Sequence, residues 1–374
     1  MALHLSILVL LIILSYFFEN KIRTEKVAAA LSESGDYHFK SDLAPWLIFF
    51  GVLTFLACVR TGVNDTGAYK HFFESLNPSW DNISTILNDN SKDKGFYILQ
   101  NIFKMYISTD YHMWFLFFAS IESVILIHVF RKEAISFSDA SFFFLAGGLY
   151  YNYFSMMRQW FAVCLVFAGI TYLKRDKFVL FLLLCLFAAQ FHNSAYIMIA
   201  VYFLVRGVAW GRKQTFIIIL FTLVMIFLQP ILDTADAGIG TYGYVVTEMN
   251  NSNGSSIIRP IIAIVPVILA YMYRNKVNYN DKVINICVNM SLLNFMLNFL
   301  ATFTNGLYII RMSTYMNMYN AILYPYLLNV SINKDKNKSV IKLGFYLLYF
   351  MWYMFEMTYS GGFVFYSDII GYFG

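Results

Sequence analysis

The chain is short of charge and of cysteine, and it has no linker composition. Each shortage removes a class of protein. Lys, Arg, Asp and Glu make up 13% of 374 residues while 59% are hydrophobic, and one soluble core with a wetted surface cannot be built from that mixture. A polytopic membrane protein is expected instead. The four cysteines, Cys58, Cys164, Cys185 and Cys287, stand singly in apolar runs without metal or disulfide spacing, and they read as packing residues. No Pro/Gly/Ser-rich tract and no clear internal repeat divides the chain, so residues 1–374 are taken as one integral domain. The net charge of +5 is dispersed over short loops, and no run is basic enough to argue for nucleic acid. Aromatic residues are plentiful: 28 Tyr and 38 Phe suit interfacial belts and can also stack on sugar faces.

Apolar runs fall at Leu3–Phe18, Leu43–Val59, Tyr111–Phe130, Phe137–Phe154, Arg158–Leu173, Thr215–Leu232, Pro260–Tyr273, Val283–Phe303, Met312–Val330 and Val340–Glu356. Each is near the length that crosses roughly 30 Å of hydrocarbon as a helix, several on the short side. The expected fold class is an all-α, polytopic membrane helix bundle of about 10–12 transmembrane helices. The first run has no basic region before it and no small-residue cleavage site after it, so it reads as a span and not as a signal peptide.

Basic residues orient the bundle. Lys21, Arg23, Lys26 and Lys40 follow the first run, Arg131 and Lys132 the third, and Lys174, Arg175 and Lys177 the fifth, which makes these loops cytoplasmic. Arg274, Lys276 and Lys282 fit the same side, as do Lys334, Lys336, Lys338 and Lys342. The outer side then holds the large loop 60–110, the base-free stretch Thr234–Ser256 and the tail after Glu356. The large loop mixes Gly62, Gly67 and Pro78 with Tyr69, Phe72, Phe73 and Trp80, a composition that suits a folded segment better than a solvated one.

Phe178–Val205 resists this parity, because Lys174, Arg175 and Lys177 precede it and Arg206, Arg212 and Lys213 follow it. A single crossing would invert every later loop. The preferred reading is a pair of short helices broken at Gln190-Phe191-His192-Asn193-Ser194, each arm about 18 Å long, so that His192 lies in an outward-facing recess. A tight hairpin that crosses fully is the alternative.

Arginine is disfavoured in outer loops, yet Arg60, Arg158, Arg259 and Arg311 all fall there together with His192, which suggests an anionic ligand. In Arg60-Thr-Gly-Val-Asn-Asp65-Thr-Gly-Ala-Tyr69 a carboxylate is held near a guanidinium at a membrane exit. The plain account is a helix capped by Asp65 or Thr66 with Arg60 at the interface. Arg158 begins a span after a tight loop, where snorkelling is the alternative to ligand binding. Arg311 begins a span carrying Tyr315 and Asn317, as a phosphate clamp or an interfacial anchor, and Arg259 precedes Pro260 at a helix start. His192 is either a satisfied core histidine or an imidazole able to take a proton from a hydroxyl. Glu122 lies mid-span, either paired or functional.

The blocks Arg60 to Tyr69, Met157-Arg158-Gln159 and Phe191-His192-Asn193-Ser194-Ala195 resemble, in this order, EpsG-like proteins of the Wzy-type polysaccharide polymerases. The likeness is loose over most of the chain and sharp only in these three blocks. It implies polymerisation of lipid-linked repeat units of an O-antigen, capsule or exopolysaccharide at the outer face of the bacterial cytoplasmic membrane. The glycan would leave polyprenyl pyrophosphate for a sugar hydroxyl on a second lipid-linked unit, without cofactor or nucleotide, and a chain-length regulator is an expected partner. In that reaction Arg158 and Arg311 would stabilise the departing pyrophosphate, and Arg60 and Arg259 would hold the second carrier. His192 is the preferred base, with Asp65 positioning a sugar hydroxyl or replacing it as base, and Tyr69, Trp160 and Tyr315 are expected to touch sugar or lipid. No Asp-any-Asp pair stands in an outer loop, so a metal-independent reaction is expected. The rivals are a flippase for lipid-linked oligosaccharide, which would favour two halves with matching broken helices, and a membrane O-acyltransferase, which an outward His192 suits poorly.

Overall fold

The computed structural model describes residues 2–31, 42–89, 92–228, 254–304, 306–332, 335–360 and 365–373. Lys40, Lys334 and most of Thr234–Ser256 lie outside the described residues. Within them the chain is a helix bundle ending in one small hairpin. The helices are α1 (Ala2–Leu31), α2 (Leu43–Val59), α3 (Thr66–Ser75), α4 (Trp80–Asn88), α5 (Lys94–Tyr106), α6 (Tyr111–Glu133), α7 (Phe137–Ala146), α8 (Met157–Ala168) and α9 (Ile170–Lys174). They continue with α10 (Phe178–Ala189), α11 (Ile197–Val205), α12 (Arg212–Ile226), α13 (Ile258–Met272), α14 (Lys282–Leu300), α15 (Gly306–Asn317), α16 (Asn320–Tyr326) and α17 (Lys338–Phe355).

Polar residues mark where the helices begin. Asp110 accepts the His112 amide at 2.8 Å to start α6, and Asp281 accepts the Val283 amide at 2.8 Å to start α14. Arg131 and Lys132 lie in the last turn of α6, where the helix dipole favours cations. Between these ends the interior is aromatic: Trp46 and Phe50 of α2 stack on Phe130 of α6 at ring separations of 5.8 and 6.1 Å. Trp46, Phe49 and Phe50 are fully buried there, and burial of such side chains is worth roughly 1.5–3 kcal/mol each.

Among the described residues three helices, Tyr111–Glu133, Lys282–Leu300 and Lys338–Thr358, are long and apolar enough to cross a membrane. Other apolar helices are shorter, among them Phe137–Ala146, Phe178–Ala189 and Ile258–Met272. Among the described residues, then, the full-length helices are joined by several apolar runs broken into half-length pieces. Phe137–Phe154 divides into α7 and a 3-10 turn at Tyr150–Tyr153, and Arg158–Leu173 divides at Gly169.

Phe178–Val205 goes in and comes back. Asp176 before it bonds Arg206 after it at 2.7 Å, and the Phe178 and Phe203 rings lie 5.0 Å apart. Both ends therefore share one side, as the flanking charges require. The turn at His192 is recessed: Phe191 contacts Phe161, and Phe161 contacts Phe118, at 4.7 and 4.6 Å between rings. Phe118 stands two turns inside α6, a depth of about 10 Å.

Loop 60–110 is folded, with α3 and α5 closed over Phe73, Phe96, Phe103 and Trp114 and α4 packed on α5. Lys104 fastens it by donating to the carbonyls of Phe73, Glu74 and Leu76 at 2.6, 2.8 and 2.8 Å. Gly95 lets the start of α5 reach the His192 turn, since a Cβ there would sit 2.6 Å from Gln190 Cβ. The C-terminal hairpin, β1 (Phe365–Ser367) with β2 (Gly371–Phe373), straps the Arg60 turn: Tyr366 O accepts from the Thr61 amide at 2.8 Å.

Candidate functional site

The four arginines differ in what already surrounds them. Arg60 is buried at 2% exposure, donating from Nη1 to the carbonyls of Ala57 and Tyr153 at 2.8 and 3.0 Å and lying 4.3 Å from the Phe115 ring. Its Nε donates to Thr66 Oγ1 at 3.2 Å. No ion pair joins it to Asp65. Arg60 ties the end of α2 to the Tyr153 turn and the start of α3, as a structural brace does. The field of Glu122, itself buried with Oε1 unbonded, acts on the same guanidinium.

Arg158, at the start of α8, donates from Nη1 to Asp93 Oδ2 at 2.9 Å and to the Tyr97 hydroxyl at 3.0 Å. Asp93 has a left-handed backbone, with φ of 59°. Its other oxygen accepts the Asn193 amide at 3.1 Å. One carboxylate therefore fastens α5, α8 and the His192 turn together. Tyr69 lies beside Arg158, with its ring 6.2 Å from Phe96.

His192 is held by its own turn. Nδ1 accepts the Ser194 amide at 3.3 Å and lies 2.6 Å from Ser194 Oγ. Ser194 Oγ lies 3.0 Å from the Tyr315 hydroxyl. An imidazole that accepts at Nδ1 carries its neutral-form proton on Nε2. Nε2 has no hydrogen-bond partner among the described residues: with Nδ1 accepting it presents an N–H donor, and with Nδ1–H donating to Ser194 Oγ at 2.6 Å it presents the unprotonated nitrogen that the expected base needs. The charges that act on His192 are Asp93, Arg158 and Arg311.

Arg311 stands one turn before Tyr315 on α15, and its main-chain carbonyl accepts from Gln159 Nε2 at 2.6 Å. Its guanidinium has no acidic partner among the described residues, and Nε is buried without a hydrogen bond. It lines a cavity of about 610 Å³ with Asn64, Asp65, Tyr151, Ser255 and Arg259. Asp65 precedes α3 but makes no capping bond, so its carboxylate is open to the cavity. Tyr151 closes the Asp65 side through a hydrogen bond from Asn64. Arg259 is paired to Glu356 at 3.0 Å, in a π-turn that ends α17.

The profile of the EpsG family matches residues 43–372. The chain belongs to the EpsG family. No curated protein and no solved structure matches it. EpsG-family membership points to exopolysaccharide-type polymerisation, and with the apolar helices it makes this a membrane protein.

In this EpsG-family chain Arg158, His192, Tyr315 and Arg311 come together, and Asp65 and Arg259 share the Arg311 cavity. Arg60 stands apart. Trp160 also stands apart, at 1% exposure between the rings of Phe144 and Tyr153. Tyr315 is buried and reaches Ser194, which makes it a support for the His192 turn. Sequence reasoning missed Asp93 and Glu356, the carboxylates that hold Arg158 and Arg259. Glu356 had a signal, as an acid within an apolar run, but Asp93 sits in an ordinary polar loop.

Proposed function

We propose that this EpsG-family protein transfers a growing glycan from polyprenyl pyrophosphate to a sugar hydroxyl of a second lipid-linked repeat unit, at the outer face of the cytoplasmic membrane. The observation that carries the reading is Arg311: a guanidinium without an acidic partner, recessed beside the paired Arg158 and sharing a cavity with an unbonded carboxylate. In the transfer the acceptor oxygen bonds to the anomeric carbon as the bond from that carbon to the phosphate oxygen breaks. The electron pair leaves on polyprenyl pyrophosphate, and the acceptor proton goes to Asp65. Arg311 faces the developing negative charge, and donors fixed in advance in a low-dielectric recess stabilise such charge without solvent rearrangement. His192 Nε2–H is a second donor to the same anion, held by Ser194 and Tyr315. Arg158, neutralised by Asp93, positions the recess.

Reconstitution with lipid-linked repeat units tests this against its rivals. Longer glycans on the carrier are expected. Movement across the bilayer without lengthening would make the protein a flippase, and added acyl mass would make it an acyltransferase. Either outcome overturns the transferase reading.

A further inference from the structure

Next to the Arg311 cavity lies a second one of about 220 Å³, and the two share Tyr151, Met156, Arg259, Ile310 and Thr314. Its walls are of two kinds. On one side Asn294 and Asn298, four residues apart on α14, face Ser313 and Asn317, four apart on α15, with Asn320 one turn on. On the other side stand Tyr324, Tyr349 and Trp352.

The amides bond among themselves but leave valences over. Asn298 Nδ2 donates to Asn294 O and Oδ1 at 2.8 and 3.1 Å, and Asn320 Nδ2 donates to Asn317 Oδ1 at 3.0 Å. Asn317 Nδ2 donates to Gly147 O at 3.2 Å. That leaves Asn294 Nδ2 and Asn298 Oδ1 without bonds among the described residues. Asn320 is only 5% exposed, and its Oδ1 is buried without a hydrogen bond among the described residues. Buried polar atoms are almost always satisfied, so unbonded amides on one small cavity call for an occupant. Donors and acceptors opposite aromatic rings suit a sugar, whose hydroxyls bond to amides while its C–H face lies on a ring. The charged lining, Arg259 and Glu356, is self-paired at 3.0 Å, so the cavity offers no net charge to an acidic sugar. Its volume is below the roughly 300–1,000 Å³ of pockets for larger ligands, which leaves room for a ring and not for a chain.

We propose that this cavity is a subsite for one uncharged sugar ring of the lipid-linked repeat unit, the ring nearest the pyrophosphate. The inference rests on the transferase reading for the identity of the ligand, but its test does not depend on turnover. The probe is carrier-free repeat-unit oligosaccharide, released by mild acid, and binding to the full-length protein in nanodiscs is followed by saturation-transfer NMR. Wild type and Arg311→Ala should bind alike, whereas Asn298→Ala should weaken binding at least tenfold. Asn320→Ala, which removes the unbonded acceptor together with the donor to Asn317 Oδ1, should weaken it several-fold, and an unchanged thermal midpoint separates these effects from misfolding. Methyl glucoside should compete better than glucuronic acid. Undiminished binding in both asparagine variants, or equal competition by the acid, would overturn the subsite and leave the cavity to water. Oligosaccharide binding by a wild-type protein that does not lengthen lipid-linked glycan would instead count against the transferase reading and leave this result standing.

Discussion

The two ends of the bundle both carry ion pairs, yet they use them differently. At the lysine-rich end Asp176 takes both Arg206 and Lys282 at 2.7 Å, and all three side chains are well exposed. Lys174 and Glu133 pair there at 2.7 Å, and although the Glu133 side chain is only 6% exposed its charge is fully matched. At the other end Asp93 is 8% exposed and is shared between Arg158 and the Asn193 amide, while Arg311 has no carboxylate of its own among the described residues. Exposed pairs contribute little, and recessed charges must be matched or left for something that arrives later. The contrast teaches where to look for chemistry: at the end where a cation has been withdrawn from water without being neutralised.

Changing the recessed end should have the larger effect. Asp93→Asn removes the anchor of Arg158 and weakens the tie to the His192 turn, so reconstituted polymerisation is expected to fall roughly ten- to a hundredfold, in the range for a displaced supporting group. Because hydrogen bonds to charged groups are involved, stability should drop by about 1.5–3 kcal/mol, read by denaturation in detergent. Arg158→Lys should be milder than Asp93→Asn, because a single nitrogen of Arg158 reaches both Asp93 and the Tyr97 hydroxyl and a lysine can keep those two bonds while losing the stacking on Phe96 and Tyr97. Equal losses in the two variants would remove the distinction between anchor and anchored group.

The smallest effect belongs to Asp176. Lys282 and then Arg206, through their hydrogen bonds, hold its carboxyl below the ordinary aspartate range. A lowered folded-state pKa gives stability that is present above the unfolded pKa near about 4 and lost as pH falls through the folded value. Asp176→Asn should therefore cost under about 1 kcal/mol at neutral pH after solvent screening. The gap from wild type should close below about pH 4, and polymerisation should be unchanged. A larger loss in thermal midpoint, or any loss of polymerisation, would erase the contrast between the two ends.

Much of the frame was legible in the residues. Basic residues on both sides of Phe178–Val205 required both ends to share a side, and the polar run at Gln190–Ser194 located the turn, because neither inference needs a long-range contact. The Asp65 and Arg158 blocks also end in or beside the recess. What stayed hidden was pairing across distance. Asp93 is 65 residues from Arg158 in sequence, and nothing local distinguishes it from its polar neighbours. Arg60 looked like a ligand-binding group because its type and place matched one, and only the carbonyls of Ala57 and Tyr153 reveal it as a brace. The asparagines of α14 were masked by an apolar background, and the hairpin over the Arg60 turn follows from backbone pairing that composition does not encode.

The central claim, that Arg311 receives the departing pyrophosphate, is tested most directly by the glycans on the lipid carrier in cells whose only copy bears Arg311→Ala. With protein level unchanged, single repeats should accumulate and long chains should fall about a hundredfold or more, the scale for losing one preorganised donor to a transition-state anion. A normal ladder of chain lengths would contradict the account.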